Sequence, residues 1–146
     1  MAAASFDLPE DRHYDCEQHL WVQRDEGSGL VRIGLDAVAV ESLGTLAYVA
    51  LKDVGTVVST GEPLGSLEAA KMTASLLAPV GGTVVELNEH VLEDPTGVAG
   101  NLYGEGWLLV LEPADWAGES GRLVGPDGVK DYHDREVERK RAEDAK

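Results

Sequence analysis

A four-residue unit occurs twice in this chain, as Gly55-Thr56-Val57-Val58 and as Gly82-Thr83-Val84-Val85. Self-similarity constrains a fold early, because each copy asks for the same local structure. Glycine followed by β-branched residues suits a strand entered from a turn. Lys71 sits close to the midpoint between the copies, and the remaining lysines, Lys52, Lys130, Lys140 and Lys146, lie outside that interval. The pattern predicts two related β units with Lys71 at the turn between them. A hairpin tip is exposed to a modifying enzyme, and paired strands hold it in a defined place. Small neighbours at Ala69, Ala70 and Ala74 leave room for a partner to close over the side chain. The plain alternative is a solvated lysine on a surface turn, the usual setting for this residue.

Charge and length narrow the rest. The chain has 146 residues, 27 acidic against 12 basic, for a formal net charge of -15. Such a surface repels phosphate backbones, so nucleic-acid binding is not expected. It suits docking on basic patches of partners, or adaptation to high salt. No apolar run is long enough to span a bilayer. No basic stretch precedes an apolar one at the N-terminus, so no secretory signal is expected. One cysteine, Cys16, cannot form an internal disulfide, which fits a reducing, cytoplasmic setting. Cys16 reads as a small buried apolar side chain, with a reactive thiol as the alternative.

Along the chain, residues 1–13 form an acidic, small-residue leader read as flexible. His19 to Gln23 and Leu30 to Leu35 form a hairpin through a glycine-bearing turn, the first strand with alternating exposure. His19 reads as a strand residue with a local hydrogen bond, or as part of a docking face. Asp36 caps a short helix ending at Gly44, with Ala37, Val40 and Leu43 on its inner face. Ala47 to Leu51, Leu64 to Ala69, Thr73 to Leu77 and Val84 to Leu87 read as further strands. Asn88 caps a helical turn that stops before Pro95. Tyr103 to Leu111 is a glycine turn leading into a core strand, and Trp116 begins a terminal helical piece. Residues 118–146 read as a glycine-rich linker and a charge-dense solvated helix, supported by Asp131–Arg135 and Glu136–Lys140 pairs.

No phosphate loop, paired-cysteine motif or His-Glu-x-x-His stretch is present, and His13, His19, His90 and His133 have no metal-ligand spacing. The chain reads as a carrier and not an enzyme.

Glu68-Ala69-Ala70-Lys71, followed by Ala78-Pro79-Val80-Gly81-Gly82, resembles the acceptor segment of lipoyl and biotinyl carrier domains. His19 and Trp21, the helix at Asp36 and Tyr103-Gly104-Glu105-Gly106-Trp107 resemble the H-protein type, over roughly residues 14–117. The resemblance implies a mainly β fold, a flattened barrel or sandwich (a barrel-sandwich hybrid) with short flanking helices. It implies lipoate in amide linkage on Lys71, used as a swinging arm. Glu68 then serves recognition by the lipoylating enzyme, or caps the strand end. The implied partners are a lipoate ligase or lipoyl transferase and dihydrolipoyl dehydrogenase. With them come either glycine cleavage enzymes or a heterodisulfide-reductase-like complex. Polar family positions are apolar at Leu20, across Asp36 to Val40 and at Ala50. These departures lean the reading toward the lipoate-binding protein of bacterial sulfur oxidation, with aminomethyl carriage by a glycine cleavage H protein as the alternative. Met72 after the lysine is a biotinyl feature, so a biotinyl carrier is a further alternative, as is an unmodified interaction module.

Overall fold

The computed structural model describes residues 6–144. Short β-branched and leucine-rich runs, broken by glycines, make nine strands among these residues. They are β1 (His13–Asp15), β2 (Leu20–Arg24), β3 (Val31–Leu35), β4 (Leu46–Leu51), β5 (Val57–Val58), β6 (Pro63–Ala69), β7 (Thr73–Leu77), β8 (Gly82–Leu87) and β9 (Leu109–Pro113). Four α-helices flank them: α1 (Ala37–Leu43), α2 (Glu89–Glu93), α3 (Trp116–Glu119) and α4 (Val129–Asp144). One sheet has the order β1-β2-β3-β9-β8-β5 and the other β4-β6-β7. Every pairing is antiparallel. Leu20, Val22, Ile33 and Leu111 of the first sheet share one core with Val49, Leu67 and Leu76 of the second. The mainly β sandwich with short helices is the fold expected from the sequence.

The repeat has a structural reason. Its two copies pair with each other, Val57 opposite Thr83 and Val58 opposite Gly82. The chain between them leaves that sheet and forms the β6–β7 hairpin in the other one. Gly65 allows β4 to lie close against β6. A Cβ there would stand 2.0 Å from the Ala50 carbonyl oxygen.

The two chain ends depart from the sequence reading. Leu8 and Arg12 are buried and His13 opens β1, so the described part of the leader is packed; residues 1–5 lie outside the described residues. The linker forms backbone bonds to β1, with Tyr14 and Val124 exchanging N–H···O contacts at 2.8 Å in both directions. The terminal helix is not wholly solvated: Val129, Tyr132 and Val137 on α4 are buried. A second core forms there from Leu8, Tyr14, Trp21, Val38, Val129 and Tyr132. This explains why β2 does not alternate. Leu20 and Val22 face the main core while Trp21 is covered from outside, so all three are buried. Trp21 lies over its cross-strand partner Gly34, where a Cβ would meet the indole at 2.6 Å. The inner face of α1 is rotated for the same reason. Val38 turns into the second core and Ala39 and Leu43 into the first, while Ala37 and Val40 are half-buried. Asn88 makes no side-chain cap on α2; its amide donates to the Glu105 and Trp107 carbonyls and pins the glycine turn.

Gly65→Ala forces β4 and β6 apart at the strand that leads to Lys71. It is expected to destabilise the protein by about 1–3 kcal/mol, read as a lowered urea midpoint with an unchanged slope.

Candidate functional site

Lys71 sits at the tip of the β6–β7 hairpin, exposed, with Ala69 N–H donating to the Met72 carbonyl to close the turn. The tip is also tied to the C-terminal end of α1. Lys71 N–H donates to the Leu43 carbonyl at 3.0 Å and Ala70 N–H to that of Thr45 at 2.9 Å. Carbonyls in the last turn of a helix have no partner within it, so the hairpin satisfies an orphan acceptor. The Lys71 ammonium donates to the Glu41 carbonyl at 2.9 Å. Gly44 makes this approach feasible. It has φ +79°, and a side chain there would press on Ala70 Cβ and Lys71 Cγ, each 3.4 Å from the Cβ position. Glu68 stands exposed on the outer face of the small sheet, between Tyr48 and Thr73 in register.

Beside Lys71 lies an open chamber of about 400 Å³. Phe6, Val38 and Met72 supply its apolar lining, Glu41 and Ser42 come from α1, and Glu136, Arg139, Lys140 and Glu143 come from α4. A wider groove of about 550 Å³ over Val57, Gly82 and Glu119 is lined by no lysine. The α4 wall was not foreseen. Glu136–Lys140 spacing reads as a pair within the helix, whereas Lys140 reaches Glu41 at 2.8 Å and Glu136 binds Arg139. The available signal was Tyr132, a large aromatic in an otherwise charged segment.

Tyr132 holds α4 against α1. Its hydroxyl donates to Asp36 Oδ2 at 2.5 Å, and Asp36 Oδ1 accepts from Ala39 N–H at 3.0 Å as the helix cap. His19 Nδ1 lies 2.8 Å from the same hydroxyl, whose proton is already committed, so the ring N–H donates. His19 takes φ +59° to reach it. Asp36 is fully buried, and burial holds its carboxyl above the ordinary value despite the bonds from Tyr132 and Ala39. Burial, followed by the Asp36 charge, pushes the Tyr132 phenol up, so it stays a neutral donor. Cys16 packs partly buried against this second core. No described group of His, Cys, Asp and Glu is arranged to hold a metal ion, and no described helix is long and apolar enough to cross a membrane.

Lys71 is thus an exposed amine on a turn whose backbone is bonded to the end of a helix. The comparisons give the chain a family. The family model for glycine cleavage H-protein matches residues 12–135, past the point where the sequence resemblance fades. A glycine cleavage system H protein of Nostoc is 38% identical over 128 residues, 88% of each chain. A probable glycine cleavage system H protein of Haloarcula marismortui is 35% identical over 127 residues, 87% of this chain and 97% of that one. The crystal structure of a glycine cleavage system H protein from Mycobacterium marinum aligns with a TM-score of 0.74 at 37% identity, covering 86% of this chain and 95% of that one. The chain belongs to the glycine cleavage H-protein family, lipoyl carriers whose lipoate is attached covalently to a lysine.

The raised Asp36 carboxyl has a signed consequence. Its protonated form stabilises the fold fully below the ordinary value near 3.8, and that contribution is lost as pH rises through the higher folded value. Asp36→Asn keeps an oxygen for Ala39 N–H and removes the titration. The urea-derived stability of wild type minus variant should therefore decline as pH rises above about 4. Tyr132→Phe leaves the buried carboxylate short of a donor and should cost about 1–3 kcal/mol at neutral pH in the same assay.

Proposed function

We propose that this chain is an H protein of the glycine cleavage type, and that Lys71 is the residue that takes lipoate in amide linkage. The observation that carries the reading is the presentation of Lys71. Within the chain's lipoyl-carrier family, this lysine stands exposed on a two-residue turn whose backbone is bonded to α1. The surroundings suit an acyl arm. Ala69 and Ala70 leave the amine approachable, and the chamber beside it has an apolar lining at Phe6, Val38 and Met72 with charged groups around it. When bound, lipoate supplies redox-active sulfurs and a point of attachment for cargo. The chain's residues supply a rigid base. Lys71 N–H and Ala70 N–H hold the tip, and α1 supports it from behind. Tethering raises the effective concentration of the sulfurs at successive partner sites. Glu68, exposed next to the tip, offers a carboxylate to the enzyme that attaches lipoate. The partners proposed are that ligase or transferase, dihydrolipoyl dehydrogenase, and the decarboxylating and aminomethyl-transferring enzymes of glycine cleavage. The chain itself acts as a carrier and not as an enzyme, and its proposed setting is cytoplasmic.

Sulfur carriage has no support from these relatives, whose names are those of glycine cleavage proteins. Packing also removes much of its basis. Leu20 lies in the main core and Val38 under α4, so their apolar character serves burial, not a changed cargo cleft. Ala50 lies on β4 opposite Ser66, three residues back from Ala69 along β6.

Incubation with lipoate, ATP and a lipoate ligase should add one lipoyl group to the Lys71 peptide by mass spectrometry, and none to Lys71→Arg. The loaded protein should then support glycine cleavage with the partner enzymes. A lipoyl group on another lysine would overturn the site. Biotinylation by a biotin ligase with no lipoylation would overturn the cofactor.

A further inference from the structure

The chamber wall contributed by α4 brings a second lysine close to Lys71. Two cations converge on one residue of α1. Lys71 Nζ donates to the Glu41 backbone carbonyl at 2.9 Å, while Lys140 Nζ bonds the Glu41 carboxylate at 2.8 Å. The Glu41 carboxyl is held low first by the hydrogen bond from Lys140 and also by the charge of Lys71, so both lysines act on it. Lys140 also has Asp144 at 3.6 Å. Glu136 of the same wall is taken by Arg139, and Glu143 lines the chamber as well. Lys140 lies beyond the residues matched to the family, 12–135.

Resting on the reading of Lys71 as the acylated residue, we propose that Lys140 is a positioning residue for that modification. By occupying the Glu41 carboxylate it keeps that carboxylate from pairing with the Lys71 amine, which is left on a neutral carbonyl. Acylation needs the free base. The amine lone pair forms the new N–C bond, the bond to the leaving group (AMP from an acyl adenylate) breaks with its electron pair, and the ammonium protons pass to solvent. A carboxylate paired with the ammonium would hold those protons and slow the step. The arrangement also explains the direction of the contact. Tyr132 docks α4 on α1, and Lys140 lies eight residues on, roughly two turns along the same face, where it meets the exposed end of α1.

The test separates this proposal from the carrier reading. Full-length protein is labelled with trace acetic anhydride at neutral pH, which acylates amines without a ligase. Peptide mass spectrometry then gives the ratio of label on Lys71 to label on Lys52, an exposed lysine just after β4. Lys140→Met should lower that ratio about threefold, the scale expected for one exposed carboxylate brought beside an amine. Lys140→Arg should leave it near wild type. Adding Glu41→Gln to Lys140→Met should restore it, because the competing carboxylate is gone. An unchanged ratio in Lys140→Met overturns the proposal. So does failure of the double variant to recover, which is the result expected if the loss came only from detachment of α4. A ligase that fails to load wild-type protein would remove the carrier reading and leave these ratios as they stand.

Discussion

The buried carboxylate of Asp36 is the contact on which the arrangement around the lysine depends. Removing a carboxylate from water is costly unless its lone pairs are met. Here one oxygen caps α1 and the other takes the Tyr132 hydroxyl, with His19 closing the chain. Three segments far apart in sequence are fastened at one point: the turn before β2, the start of α1 and the terminal helix. Weakening any member leaves a buried group without its partner, which costs more than an ordinary hydrogen bond contributes. The far end of the same short helix carries the carbonyls that hold the hairpin tip and the lysine amine. Seven residues therefore link the second core to the turn that bears Lys71.

Rigidity at the tip comes from the sheets. The paired repeat copies anchor both ends of the segment that carries the hairpin in the large sheet, and Gly65 lets β4 lie close against β6. Side chains from both sheets then interdigitate in a single core. The backbone at the tip is held by bonds from Lys71 N–H to Leu43 and from Ala70 N–H to Thr45, while the Lys71 side chain lies exposed and touches the protein at the Glu41 carbonyl. The acidic surface leaves few cations near the site, so Arg139 and Lys140 on α4 stand out as the ones that neutralise carboxylates along its chamber.

Much of this was legible in local pattern. Glycine followed by valines marks the strands, the small residues around Lys71 mark the turn, and Asp36 and Gly44 mark both ends of α1. Errors arose where a second layer covers a face that a single sheet would leave wet. Trp21 breaks the alternation of β2, and Val38 turns inward, because α4 and the N-terminal segment lie over them. The charge pairs of α4 were misassigned for a related reason. Spacing within a helix says which side chains can meet, but a cation at its exposed edge pairs with whichever carboxylate packing brings near, here Glu41. The apolar departures at Leu20 and Val38 illustrate the same limit, since residue type alone does not separate a changed cargo from a deeper core.

The sequence by itself determined the succession of strands, the hairpin and the lysine at its tip, because strand period, turn residues and the internal repeat are properties of neighbours along the chain; the sandwich was implied by resemblance to a known family. Only the tertiary structure decided what stands beside that lysine. The chamber, the Asp36–Tyr132–His19 network and the Glu41–Lys140 pair join residues about a hundred positions apart or more. Such contacts follow from how layers pack and from where burial demands a partner for each polar group, and no local pattern encodes them.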